Sequence, residues 1–487
     1  MNLGIVRTTL GRILTLEGAL LALPLLISIF YQESPQIALA YLAGGIITFG
    51  TGLLLTRKKP DSGKIYAQEG MVITALSWIL LSAFGALPLV FSGEFPTYID
   101  AFFEMSSGFT TSGASVAADV EILSQATLFW RSFTLFLGGM GVLVFALALQ
   151  PKLQAESVHM MKAEMPGPTF SKVTARLSST ARILYVIYIT MTVILFLILV
   201  LLRMPPFEAL LHAFGTAATG GFTSKNASIG HYNSPAIEYV ITVGMFLFGV
   251  NFNLFYFMLL RRFKEVFKSE ELRWYAGIIA VAVFLIMLNT RPWYASEGLG
   301  LETQFRNVLF QVTSMITTTG FSTYNLYQWP LFSQGVIMTV MFIGANAGSA
   351  SGALKISRVV MAVKIAFIEL RQVRQPRRVM QIRFEGRPIG SQAARSILSY
   401  LVMFALIFVA GVLLLMLDLG DFKSSFIGVL TTLNNVGLSL EETVPGQRFE
   451  TLAPLSKVML SFLMITGRLE LWPVLILFSR ETWQKTS

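Results

Sequence analysis

Four short clusters of glycine with hydroxyl or amide residues recur along the chain. They read Gly108-Phe-Thr-Thr-Ser-Gly113-Ala-Ser, Ala217-Ala-Thr-Gly-Gly221-Phe-Thr, Ile316-Thr-Thr-Thr-Gly320-Phe-Ser and Leu433-Asn-Asn-Val-Gly437-Leu-Ser. Aligned on Gly113, Gly221, Gly320 and Gly437, each glycine is followed by a small or apolar residue and then a hydroxyl. The chemistry open to such clusters is cation coordination. A partly dehydrated cation must recover ligands, and rings of backbone carbonyls supply them. Glycine lets an extended backbone turn several carbonyls inward, and Thr and Ser add hydroxyl oxygens. Thiolate chemistry is excluded because the chain has no cysteine, and its three histidines, His159, His212 and His231, are too scattered for a His-rich metal site.

One such cluster reads most simply as a turn or a close helix contact. Four of them, at glycine spacings of roughly 100 to 117 residues, form an internal repeat larger than a helix–loop–helix pair. Each closes a moderately apolar stretch too short to span a bilayer: Tyr98–Ser115, Pro206–Ser224, Leu301–Ser322 and Phe422–Ser439. A segment that dips in and returns fits this pattern, because irregular backbone survives at membrane depth only beside a watery path. Helices leading into such loops can aim their negative C-terminal ends at a cation.

The elements that must hold these loops are apolar. Hydrophobic residues make up 54% of the 487 residues and charged ones 13%, against about 25% charged in soluble domains; mean hydropathy is +0.65. Apolar runs fall at Ile13–Tyr31, Ile37–Leu55, Met71–Phe91, Ser124–Leu149, Ile183–Leu202, Ala236–Leu260, Trp274–Leu288, Leu331–Ile343, Ile397–Leu417 and Leu455–Phe478. They predict about ten spanning helices. Arg7 and Arg12 precede the first run, but no small-residue cleavage site closes it, so it reads as a helix and not a signal peptide.

Every even-numbered run is followed by a basic loop. These carry Arg57, Lys58, Lys59 and Lys64; Lys152, Lys162, Lys172, Arg176 and Arg182; Arg261, Arg262, Lys264, Lys268 and Arg273; and Lys355 through Arg387. The positive-inside rule makes those loops cytoplasmic, with both termini on the same side. The net charge of +10 is explained by these loops facing lipid headgroups and calls for no nucleic acid.

Two further features lie at membrane depth. The eighth run ends in Gly344-Ala-Asn346-Ala-Gly348-Ser349-Ala-Ser351-Gly352-Ala-Leu-Lys355. Three glycines four apart could be a helix-packing stripe. The alternative is an unwound segment beneath the clusters, where Asn346, Ser349 and Ser351 suit a wet cavity. The last run holds Arg468 and Glu470. Arg468 reads either as half of a structural ion pair or as a cation in the pore. Glu17, inside the first run, is expected to pair with Arg12 or a neighbour, and His212 to pack. Glu104 is expected to concentrate cations at an outer mouth, and Asp100 and Glu121 either to do the same or to form a solvated rim.

Helix, pore loop, helix, four times in one chain, resembles the Trk/Ktr/HKT superfamily of K⁺ transporters, and the two leading helices make it most similar to the TrkH/TrkG members. The resemblance covers nearly the whole chain. It implies an all-α polytopic membrane protein with four pseudo-fourfold helix–pore loop–helix units around one pore. The expected division is two N-terminal helices in 1–65, then pore units in 66–175, 176–268, 269–388 (with the intramembrane loop) and 389–487. The implied filter quarters are Thr111, Ser112 and Gly113; Thr219, Gly220 and Gly221; Thr318, Thr319 and Gly320; and Asn435, Val436 and Gly437. Plant relatives with serine at the first filter glycine tend to favour Na⁺, so Gly113 argues for K⁺. Asn435 departs from the Thr of the other quarters, which makes the filter chemically asymmetric. The implied gate is the Gly/Ser-rich loop with Gly344, Asn346, Gly348, Ser349, Ser351, Gly352 and Lys355, abutted by Arg468. The implied partners are K⁺, the bilayer of a bacterial inner membrane, a second copy in a homodimer, and a cytoplasmic nucleotide-binding ring, TrkA. No covalent cofactor is implied.

The repeats run in one orientation and intramembrane acids are few, which disfavours a secondary transporter built on inverted repeats. K⁺/H⁺ or K⁺/Na⁺ symport on the same scaffold remains the alternative. A membrane enzyme would need a set such as HExxH or facing aspartates, and neither is found. A phosphate-cradling loop is excluded at 344–355 because no Gly-Lys-Ser/Thr follows, and the chain has no GxGxxG after a strand.

Overall fold

The computed structural model describes residues 1–58, 66–141, 177–375, 381–438 and 448–483, with side chains omitted at 177–181. Lys59, Lys64, Lys152, Lys162, Lys172, Arg176, Arg377 and Arg378 of the basic loops lie outside the described residues. So do His159, Ser439 and the end of the run reaching Leu149.

Among the described residues, six helices are long and apolar enough to cross a membrane: Leu3–Phe30, Pro35–Thr56, Ala67–Phe91, Arg182–Leu201, Glu270–Ser296 and Ser391–Leu419. The two N-terminal helices pack on each other, and the others each lead into a short helix. These pore helices are Tyr98–Phe109, Pro206–Ala218, Leu301–Ile316 and Phe422–Leu433. The longest has 16 residues, which at 1.5 Å per residue reaches about 24 Å and cannot cross ~30 Å of hydrocarbon. Their starts are set locally. Thr97 Oγ1 accepts from the Asp100 amide and Asp421 from the Ser424 amide, as N-caps do. Pro206 takes the first helical position, where its missing N–H costs nothing.

The helices that leave the pore loops differ from expectation. Ala236–Leu260 and Leu455–Phe478 read as continuous apolar spans, but both are broken. Pro235–Phe248 and Phe252–Leu259 meet at a 92° bend. Pro454–Arg468 is followed by Glu470 and Leu471 at positive φ before Trp472–Leu475 resumes. In the first unit the helix Gln125–Gly139 stops at Met140. In the third, Leu331–Ile343 and Ile356–Arg374 flank the irregular segment 344–355. The breaks at Gly249 and Met140 fall in glycine-containing but uncharged stretches that hydropathy does not register, whereas those at 344–355 and 468–471 carry Asn, Ser, Arg or Glu. The freed backbone groups are satisfied across units: the Asn346 amide donates to the Gly249 carbonyl at 3.2 Å and the Phe252 amide to the Gly348 carbonyl at 3.0 Å.

A two-stranded antiparallel hairpin, Arg383–Phe384 with Arg387–Pro388, adds a small β element to the expected all-α fold. Glu385 and Gly386 both have positive φ, as a two-residue hairpin turn requires.

Candidate functional site: a four-part pore loop and the segment beneath it

The four pore helices end in one backbone motif. The amides of Thr111, Thr219, Thr318 and Asn435 donate three residues back, to Gly108, Thr216, Met315 and Thr432. The next amides, of Ser112, Gly220, Thr319 and Val436, donate five residues back, to Ser107, Gly215, Ser314 and Thr431, at 2.8–2.9 Å. This is the Schellman closure, with a left-handed residue where glycine usually stands. Here that residue is Thr111 (φ 56), Thr219 (φ 54), Thr318 (φ 62) or Asn435 (φ 54). A β-branched residue in this region is strained and persists only where its surroundings over-determine it. The three threonines carry that strain, while Asn435 is of a type that tolerates the region; all four are the first residue of a quarter aligned from the sequence.

The four glycines meet. Gly113 and Gly320 both lie at φ +80, and a Cβ on either would collide with the backbone of Gly221 or Gly437 respectively. A Cβ on Gly437 would stand 2.8 Å from Gly221 Cα and 2.8 Å from the Ser112 carbonyl. All four line an outer cavity of about 280 Å³, with Lys225 and Glu450 on its wall. Thr111, Ser112, Thr219, Thr318, Thr319, Asn435 and Val436 are fully buried around them. Thr111 Oγ1, Ser112 Oγ and Asn435 Oδ1 have no hydrogen-bond partner among the described residues.

The segment 344–355 is packed against the other side of this ring. Its helical-stripe reading fails: Gly344, Gly348, Ala353 and Lys355 all have positive φ. The Gly352 amide donates to Thr318 Oγ1 at 2.7 Å, and the Ala353 amide donates to the Asn434 carbonyl at 3.0 Å. Ser349 Oγ donates to the Asn346 carbonyl at 2.6 Å and meets Ser351 Oγ at 2.9 Å. The Asn346 side chain is fully buried and its amide atoms have no hydrogen-bond partner among the described residues. Lys355, counted with the cytoplasmic basic stretch above, is instead buried, and its ammonium donates to Ser351.

Arg468 reaches this segment from the last unit. Its guanidinium donates to the Ala350 carbonyl at 2.6 Å and to the Gly138 and Gly139 carbonyls at 2.6 and 3.0 Å. Glu470 Oε2 takes Arg358, 2.5 Å away. Ser349, Ser351, Gly352, Lys355 and Arg468 together line an inner cavity of about 40 Å³.

The acids expected at the mouth are placed otherwise. Glu104 is fully buried and paired with Arg131, Nε to Oε1 at 2.6 Å. Asp100 pairs with Lys457 at 2.6 Å, both about nine-tenths buried. Desolvation explains this: an unpaired buried carboxylate is costly, so each acid takes a cation and loses its long-range field. Glu121 stays at the surface, 3.7 Å from Lys225. Asp119 beside it accepts from Asn226 Nδ2 and the Glu121 amide, which hold its carboxyl below the usual range. Glu17 does not find Arg12; it is buried with neither oxygen hydrogen-bonded among the described residues. His212 packs as expected and also meets Tyr232 OH at 3.0 Å through Nε2.

Three site contacts escaped sequence reasoning. Arg131 lies inside an apolar run, and a charge there is itself a signal. Glu271, buried, accepts from the Ala347 amide of the intramembrane segment at 2.8 Å. The Arg358–Glu470 pair joins the third and fourth units; nothing in the spacing announces it.

The family model TrkH, a cation transport protein, matches residues 35–486. The chain is 32% identical over 489 residues to the Trk system potassium uptake protein TrkH of Salmonella typhimurium, covering all of both chains. It is 32% identical over 464 residues to the Trk system potassium uptake protein TrkG of Escherichia coli, covering 95% of this chain and 94% of that one. The crystal structure of the potassium transporter TrkH from Vibrio parahaemolyticus superposes with a TM-score of 0.88 at 27% identity, covering 99% of this chain and all of that one. With its four pore loops, its broken inner helices and these full-length likenesses, the chain belongs to the TrkH family of cation transport proteins.

Proposed function

We propose that this protein conducts K⁺ into a bacterial cell across the inner membrane, selecting it at the four loops and holding the path shut at the segment 344–355 and Arg468. The observation that carries the reading is the convergence of four identical helix closures on Gly113, Gly221, Gly320 and Gly437, with the irregular segment directly against the same ring. The pore helices end there, so their negative ends favour a cation. The unpartnered oxygens of Thr111, Ser112 and Asn435 suit an ion that has shed water. Related proteins that carry potassium uptake in their names match over 94% or more of their length.

The barrier has two components. The segment 344–355 blocks by volume. Arg468 and Lys355 oppose a cation by charge, a strong effect where the dielectric is low. Arg358–Glu470 and Glu271–Ala347 fasten the segment to its neighbours. Exposed Arg371, Arg374, Arg383 and Arg387 on the same face suit a cytoplasmic partner of the TrkA kind, which would supply nucleotide sensing and meet a homodimer.

The test is Rb⁺ uptake in a strain lacking its own K⁺ transport, with the partner supplied. Wild type restores growth at low K⁺. Failure of wild type to do so sinks the K⁺ reading, and unchanged K⁺/Na⁺ selectivity in Gly113→Ser and Gly320→Ser removes the filter assignment.

A further inference from the structure

The common helix closure fixes an equivalence that extends back along each pore helix. Nine positions before the four glycines stand Glu104, His212, Gln311 and Gly428. The first three side chains are fully buried. Glu104 and Gln311 grip the backbone that leaves their own quarter of the filter, and they do so at matching points. Glu104 accepts from Ser115 Oγ at 2.9 Å and from the Val116 amide at 3.0 Å. Gln311 Nε2 donates to Ser322 Oγ at 3.3 Å and to the Tyr324 carbonyl at 2.8 Å. Ser115 and Ser322 are the same position, two after the glycine.

The other two quarters lack this contact. His212 turns to Tyr232 in the outer 3-10 helix, and Gly428 has no side chain to offer. The division coincides with a backbone difference. Gly113 and Gly320, in the gripped quarters, are at φ +80, while Gly221 and Gly437 are outside the left-handed region. The incoming side of every quarter is held by the helix closure. The outgoing side has no regular structure, and in the first and third quarters a side chain behind it adds a hold on the backbone. In the first quarter Arg131 reinforces the grip. It donates to Glu104 and, at 3.1 Å, to Ser115 Oγ, and its guanidinium lies 4.2 Å above the Phe222 ring of the second quarter.

We infer that Glu104 and Gln311 are positioning residues for ion selection, fixing the outgoing backbone of two of the four quarters through Ser115 and Ser322. The inference rests on the filter reading above and adds to it which residues outside the filter decide its spacing. Losing the clamp leaves the ring of glycines in place but lets it relax toward ions of other size, so selectivity falls before transport does.

The experiment compares initial K⁺ and Na⁺ uptake by the full chain in liposomes for wild type, Gln311→Leu, Ser322→Ala, Ser115→Ala and Gly320→Ser. Gln311→Leu keeps the volume and removes the donor. Its Na⁺:K⁺ uptake ratio is expected to rise roughly five- to tenfold, the scale of one or two lost buried hydrogen bonds, with K⁺ uptake retained. Ser322→Ala and Ser115→Ala are expected to move the ratio the same way, and Ser322→Thr, which keeps the hydroxyl, to restore it. Should Gln311→Leu not fold, the two serine variants carry the test, since they leave the pore helices intact. A wild-type ratio in the folded clamp variants, alongside a raised ratio in Gly320→Ser, overturns the clamp alone. A wild-type ratio in Gly320→Ser as well overturns the filter reading and the clamp with it.

Discussion

Arg468 donates to the Ala350 carbonyl at 2.6 Å and, through its other nitrogen, to Gly138 at 2.6 Å. One side chain from the last unit therefore ties the intramembrane segment of the third unit to the broken end of the first. Hydrogen bonds from a guanidinium to carbonyls are each worth ~1.5–3 kcal/mol, so this residue joins units that hydropathy shows only as separate helices.

Arg468→Ala removes those bonds and a half-buried positive charge together. It is expected to raise Rb⁺ uptake and to lessen dependence on a cytoplasmic partner. Arg468→Lys keeps the charge but not the planar fork that spans carbonyls from two units. Its uptake is expected to fall between wild type and alanine. Uptake by Arg468→Ala equal to wild type removes the barrier role while leaving the filter untouched.

Glu271→Ala strips the acceptor from the Ala347 amide. An orphaned buried amide costs ~1–3 kcal/mol, and it weakens the hold on the segment 344–355. The expected result is higher uptake at unchanged K⁺/Na⁺ ratio, because the contacts of Gly352 with Thr318 and of Ala353 with Asn434 remain. A changed ratio with unchanged uptake contradicts this.

Gly113→Ser places a side chain at φ +80 against Gly221. Strain of ~1–3 kcal/mol follows from the dihedral alone, and the close backbone contact adds to it. Na⁺ uptake relative to K⁺ is expected to rise, read by competition between the two ions in the uptake assay.

Asp100 and Lys457 form a buried pair joining the first pore helix to the last inner helix. Asp100→Leu or Lys457→Met alone strands a charge and is expected to cost ~3–5 kcal/mol. The double variant is expected to recover most of that loss. Thermal unfolding of the purified protein in detergent measures all three, and a double variant no more stable than the singles argues against the pairing.

The membrane class, the pore helices and the alignment of the four quarters were readable from residues alone. Length and apolarity determine whether a helix can cross, and Tyr98–Phe109 or Phe422–Leu433 is simply too short. The four glycine clusters were legible because their spacing repeats and each glycine is followed by a small or apolar residue and a hydroxyl; the left-handed backbone shared by Thr111, Thr219, Thr318 and Asn435 was not. Charge placement was legible only in part. Glu104 and Asp100 looked like mouth acids, because sequence shows an acid's type but not the cation that desolvation forces upon it.

Tertiary structure alone decided the rest. The break at 249–251 interrupts an otherwise apolar run, and it holds because backbone groups freed there meet partners from another unit, as the Phe252 amide meets Gly348. Burial of Lys355 in the segment, the reach of Arg468 to Ala350, and the grip of Gln311 on Ser322 and Tyr324 all depend on chain segments brought together by packing. Local composition sets which segments enter the membrane. The four glycines become one ring only when the units pack together, since a Cβ on any of them would stand 3.0 Å or less from another of the four.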